Sequence, residues 1–127
     1  VKSLRRLLSA MLRVIVMIAN RYVALLLFES ISSDRNRPAL YREDVVLLRA
    51  SSDETVRRLA DAHGRAQECT HRNADGDTIS TRLMQIVDVA TALDEDLDED
   101  AVDLYARHFR DLDSYRVLDP LLEGEPL

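Results

Sequence analysis

The sequence predicts an α+β domain: an antiparallel sheet of three to four strands with two helices on one face, in the order β-β-α-β-β-α. Three observations lead to it. Two apolar, strand-like runs, RYVALLLFESI (21–31) and YREDVVLLRA (41–50), flank the polar, proline-containing SSDRNRPA (32–39), the pattern of an antiparallel hairpin. SSDE at 51–54 then opens a helix. Asp75-Gly76, a good hairpin turn, precedes the longest strand-like run, TISTRLMQIVDVATAL (78–93).

The first run places Tyr22, Ala24, Leu26 and Phe28 on one face and Val23, Leu25 and Leu27 on the other. Apolar residues on both faces mark a strand covered on both sides. Two helices on one side of a sheet leave the other side open. The expectation is therefore a homodimer with Val23, Leu25 and Leu27 in its interface. The second strand has its densest apolar part at Val45–Leu48.

Ser51 is expected to cap the amide of Glu54 while Glu54 reaches back, with Asp53 adding negative charge to the first turn. Val56, Leu59, Ala60 and His63 follow at helical spacing, and Gly64 weakens the helix or ends its first part before about Cys69. Beyond the Asp75-Gly76 turn, Ile79, Leu83, Val87, Val89 and Leu93 share one parity, Met84 and Ile86 the other. DEDLDED (94–100) leads into a second predicted helix, whose stripe is Val102, Tyr105, Ala106, Phe109 and Leu112. Pro120 and Gly124 mark a frayed tail, 119–127.

Residues 1–16 carry Lys2, Arg5, Arg6 and Arg13 with no acid. Arg13 and Arg21 bracket only seven uncharged residues, and Tyr22–Phe28 adds another seven. A spanning helix needs about 20 apolar residues, and Arg21 near its middle would cost at least ~2.5 kcal/mol. No stable membrane span is expected. A signal peptide is disfavoured because Arg13 interrupts the apolar stretch and no clean cleavage site follows. A basic amphipathic helix on a membrane surface is a further reading. The favoured one treats 1–16 as an N-terminal extension, an upstream start or a loosely docked helix, followed by a single domain over 17–118.

The totals narrow function. With 127 residues the chain suits one domain, and 46% hydrophobic and 31% charged residues suit a globular one. The net charge is −6, of which +4 lies in residues 1–16, leaving −10 over residues 17–127. That balance argues against nucleic-acid binding. One cysteine, Cys69, permits no intrachain disulfide and points to a cytoplasmic home. Sixteen of the 17 basic residues are arginine, the mark of a GC-rich bacterial genome.

Local chemistry is sparse. NADGD suggests a calcium loop, but with Gly76 at position 6, His71 and Arg82 occupy positions 1 and 12, where carboxylates are needed. His63, Cys69 and His71 lack zinc-like spacing, and a structural histidine and a buried cysteine are expected instead. No metal, cofactor or catalytic group is assigned. The six acids of 94–100 read as a solvated helix lead-in. The most informative charges are Glu29, Arg49 and Asp88, each set in an apolar strand, where a charge needs a partner. They read either as a polar binding site or as an ion-pair network that fixes register.

RYVALLLFES, LYREDVVLLRA followed by a capped helix, and QIVDVATALDEDLDEDAVDLYARHF resemble a small bacterial family classed as a domain of unknown function. Its members open with an aromatic-Tyr-x-Ala-x-Leu-x-Phe-Glu-Ser strand, continue with Tyr-x-Glu-x-x-Val-Leu-Leu-Arg-Ala, and later carry Val-x-Asp-Val. Tyr22, Phe28, Glu29, Ser30, Glu43, Arg49, Asp88 and Val89 occupy those positions. The resemblance runs from 21 to about 116 and departs at Arg21, where an aromatic is expected. It implies a cytoplasmic single-domain protein and brings no activity.

The reading favoured is a non-catalytic, dimeric protein-interaction or regulatory module. The alternatives are an acidic inhibitor of immunity type against a basic toxin, and a small enzyme or ligand-binder using Glu29, Arg49 and Asp88.

Overall fold

A computed structural model describes residues 2–18 and 20–118. Its elements run α1 (Lys2–Ile18), β1 (Asn20–Ser32), β2 (Leu40–Ala50), α2 (Asp53–Ala66), β3 (Cys69–Arg72), β4 (Thr78–Thr91) and α3 (Leu112–Leu118). The fold is α+β. Its four strands form one antiparallel sheet in the order β2-β1-β4-β3, and the predicted order holds with α1 added in front. The predicted extension, 1–16, falls within α1 except for residue 1, and the predicted tail, 119–127, lies outside the described residues. Among the described residues neither α1 nor α3 packs on the sheet, and no helix is long and apolar enough to cross a membrane.

β1 is the axis of the domain because it pairs along its length with both β2 and β4. Its even-numbered face holds the core. Ala24, Leu26 and Phe28 pack with Ala60 of α2, joined by Val46, Leu48, Leu83, Ile86 and Val89. Tyr22, Ala50 and Val56 continue the same layer. The helix presents Val56, Ala60 and Gly64, each four residues from the next, while Leu59 and His63 stay exposed. Gly64 sits against the sheet. A Cβ there would stand 2.8 Å from Leu83 Cδ2 and 3.0 Å from Leu26 Cδ2, so glycine sets how closely helix and sheet approach.

The structure departs from sequence pattern in four places. The helix cap is Ser52, whose hydroxyl accepts from the Thr55 amide at 3.2 Å, one residue later than the expected Ser51–Glu54 box. The Asp75-Gly76 turn is a three-residue loop closed by the Asn73 amide donating to the Asp77 carbonyl at 3.0 Å. Asn73 Oδ1 accepts from the Asp75 and Asp77 amides, and Gly76 takes φ +83, the left-handed position such loops give to glycine.

β4 does not alternate simply. Register shifts fall between Leu25 and Leu26 and between Leu27 and Phe28, where Val87 and Met84 are left without a partner. These two bulges bring Leu83, Ile86 and Val89 to one face although they are three residues apart. Alternation separates Ile86 from that group.

The second helix begins ten residues later than predicted, at Leu112. Residues 92–111 return as irregular chain instead. The Leu93 amide donates to the Leu104 carbonyl at 3.2 Å, the Asp94 amide to the Asp103 carbonyl at 3.0 Å, and the Asp103 amide to Asp94 Oδ2 at 2.8 Å. Aspartates that bond nearby backbone compete with a helix, and crowded like charges oppose it further. Ala106 and Phe109 are exposed rather than core. Phe109 stacks on Tyr115 with centroids 4.8 Å apart.

This return places side chains on the odd-numbered face of the sheet. Tyr105 bonds Asp88 of β4, and Arg107 stands 3.9 Å from Glu43 of β2, so the segment spans β1 between its two neighbours. The face expected to be open is thus crossed by the chain itself. Val23 and Leu25 are 0% and 2% exposed within one chain. Of the three expected interface residues, Leu27 alone keeps partial exposure.

Candidate functional site

Glu29, Arg49 and Asp88 do not converge. On β1, Glu29 lies opposite Tyr41 and Arg82, Leu25 lies opposite Asp88, and Arg21 lies opposite Arg49. At roughly 3.3 Å per residue, Arg49 is about 26 Å along the strand from Glu29, and Asp88 about 13 Å. In place of one shared site or ion-pair network, the three residues stand in three separate arrangements.

Glu29 is the one buried charged residue among those described. Arg82 donates to its Oε1 from Nε at 3.2 Å and Nη2 at 2.9 Å, and the Tyr41 hydroxyl donates to Oε2 at 3.1 Å. Beside it Ser30 and Thr81 share a hydrogen bond of 2.7 Å. Both carboxylate oxygens are engaged, as a carboxylate withdrawn from water requires. The Arg82 side chain remains 64% exposed, so water screens the pair and its net worth is small. The cluster locks β2, β1 and β4 in register. Arg82 is not legible as Glu29's partner from a linear pattern, because the bulges decide which β4 residue lies opposite it.

Asp88 divides its oxygens between the Val89 amide, at 2.9 Å, and the Tyr105 hydroxyl. This bond pins the returning segment to β4. It also raises the Tyr105 phenol above its ordinary value, followed by burial and the Asp88 charge. The Tyr41 phenol is raised in the same way, first by its bond to Glu29 and then by that charge. The fold thus favours the neutral phenols, and their contribution is complete below the ordinary value near 10. It is lost as pH rises through the higher folded values. In an alkaline titration followed by phenolate absorbance, Tyr41 and Tyr105 are expected to ionise late. Tyr41→Phe and Tyr105→Phe should each remove one late step. Tyr105 ionising at its ordinary value would show that the segment is not held at Asp88.

Other candidates stand apart. Cys69 is exposed on β3 rather than buried, and His63 is exposed on α2 with Nε2 2.9 Å from Gln67 Nε2. A cleft of about 500 Å³ lies between residues 107–111 and α3, lined by Phe109, Tyr115 and Leu118 together with Arg107, His108 and Arg110. In its wall the Ser114 hydroxyl and amide hold the Asp111 carboxyl below its usual range. In the acidic run, Asp94 and Asp96 each accept from a nearby backbone amide.

The outer strand presents an unmatched surface of the sheet. β2 pairs with β1 on one side, and among the described residues no strand pairs with its other side. Tyr41, Val45 and Leu47 on its odd face are 55%, 60% and 40% exposed. Arg49 lies on the same face, exposed, at the far end. The family described as Domain of unknown function (DUF4288) matches residues 21–106, which span the sheet from the second residue of β1 and most of the returning segment. No curated protein and no solved structure matches the chain.

Proposed function

The chain belongs to the DUF4288 family, a domain of unknown function, and from the geometry of its sheet we propose that it is a non-catalytic protein-interaction module. The binding surface is the outer edge of β2 with the apolar side chains beside it. One observation carries this reading. β2 is an eleven-residue edge strand whose register with β1 is unbroken from Asn20–Ala50 to Ser30–Leu40, and its centre exposes Val45 and Leu47.

Edge strands present a row of unpaired amides and carbonyls, which native proteins blunt with short length, lysine, proline or bulges. β2 is long, unbulged and free of lysine and proline, and its charges, Arg42, Glu43, Asp44 and Arg49, flank an uncharged centre, Val45–Leu48. The opposite flank has two: β3 is four residues long, and β4 beyond it is bulged. An edge left open on one side, beside a blunted one, suits a strand that receives a partner by β-addition. Leu27, half-buried opposite Glu43 and diagonal to Tyr41 and Val45, extends the apolar surface inward from the edge.

Site-specific photocrosslinking in cells that carry the protein tests the reading. A photoreactive residue at Val45 should yield a protein adduct, identified by mass spectrometry. The same residue at Arg72, on the opposite edge, should yield none. No adduct from Val45 would overturn the proposal.

A further inference from the structure

We infer that the partner received by β2 is a second copy of this chain, paired antiparallel edge to edge about a two-fold axis through Val46. This rests on the interaction reading and adds the identity and register of the partner. A two-fold axis normal to the sheet places residues of one parity opposite each other, so a self-pairing strand has few registers to choose from. Their charges separate them.

With Val46 opposite itself, Glu43 faces Arg49 of the second copy and Arg49 faces its Glu43. Val45 faces Leu47 in both directions. On the other face, Asp44 meets Leu48 and Arg42 meets Ala50. The register centred on Asp44 sets two like charges against each other. That centred on Val45 leaves Glu43 opposite Leu47, and that centred on Leu47 leaves Arg49 opposite Val45. Only the Val46 register, of these four, pairs opposite charges twice and apolar residues twice on the exposed face. Such directly opposed pairs are the units that stabilise a sheet.

The surroundings admit the contact. Tyr41, Glu43, Val45, Leu47 and Arg49 are all exposed in the single chain. Arg107 stands 3.9 Å from Glu43, beyond hydrogen-bonding distance, so the carboxylate can still accept from an incoming guanidinium. Nine residues, 42–50, face nine across the axis and extend the sheet to eight strands. The four or so pairs that exchange backbone bonds would supply about eight hydrogen bonds. Arg49 has no place in an intramolecular site. Here it is half of a reciprocal salt bridge.

Sedimentation equilibrium on the full chain provides the test. The wild-type protein should dimerise. Glu43→Arg and Arg49→Glu each turn two attractive pairs into two repulsive ones, and each should raise the dimer dissociation constant about tenfold or more. An equimolar mixture of the two variants should dimerise again. One variant then carries arginine at both positions and the other glutamate at both, so every facing pair in the mixed species is of opposite charge. A wild-type monomer, a dimer indifferent to both variants, or a mixture without recovery would each overturn the inference. Should either variant fail to fold, hydrogen exchange on the wild type decides: protection of the outward β2 amides must rise with protein concentration, and constant protection overturns the pairing. A monomer that still crosslinks from Val45 to another protein overturns self-pairing and leaves the interaction reading standing. A monomer with no adduct overturns both.

Discussion

Phe28→Ala is expected to lower the free energy of unfolding by about 3–5 kcal/mol. Phe28 is 1% exposed and is the largest of the fully buried side chains. It sits among Ala24, Leu26 and Ala60, with Leu83 and Ile86 packed against the group. Truncation removes the ring from a layer bounded by two alanines, whose short side chains cannot move in to fill the space. The transfer and cavity costs therefore add. The Arg42 guanidinium also lies 4.5 Å over the ring, a cation–π contact of about 0.5–1 kcal/mol at a surface position. Phe28→Leu keeps most of the volume and loses that contact, so it should cost roughly 1–2 kcal/mol. Urea unfolding of the three proteins measures both differences. A loss under about 1 kcal/mol for the alanine variant would mean that the even face of β1 is not the core. Domains are stable by only about 5–15 kcal/mol, so the expected loss would populate unfolded chain at physiological temperature.

Gly64→Val should cost about 3 kcal/mol, at the upper end for overpacking. A helical glycine normally gains roughly 1 kcal/mol on replacement by alanine. At Gly64 that gain meets a Cβ placed 2.8 Å from one leucine methyl and 3.0 Å from two others. For Gly64→Ala the two effects oppose at similar size, and the net change should be small. Valine adds two more methyls to the same gap, and helix and sheet must separate to admit them. The paired measurement is informative because propensity alone makes both variants stabilising. An unchanged urea midpoint for the valine variant would show that α2 does not rest on Leu26 and Leu83 at that point.

The fold class is legible because β1, β2 and α2 obey local rules. Tyr22 to Phe28 are apolar on both faces, Val45 to Leu48 are apolar, and acids follow serine at the helix start. The features that escape depend on long-range pairing. No periodicity reveals that Met84 and Val87 are left out of the ladder, and so none reveals that Arg82 rather than Arg49 meets Glu29. Val102, Tyr105, Ala106, Phe109 and Leu112 fit a helical stripe, yet Asp94 and Asp103 tie down the backbone at the base of that stretch and Tyr105 is drawn to Asp88. The apolar odd face of β1 does signal a need for cover. What the pattern does not show is that residues 102–107 of the same chain cross it. Arg49 is a candidate by its setting, and the register supplies the surface to which it belongs.

The bulges in β4 bear on its tolerance of deletions. Thirteen residues, Ile79 to Thr91, lie against eleven of β1, Tyr22 to Ser32. Met84 and Val87 are therefore supernumerary: each interrupts the ladder without taking a partner. An ordinary strand cannot lose one residue without inverting everything beyond it. Here a deletion at either place joins two neighbours that already pair in sequence with β1, and Leu83, Ile86 and Val89 keep facing α2. Removing Met84 or Val87 is therefore expected to leave the faces on either side of it in place.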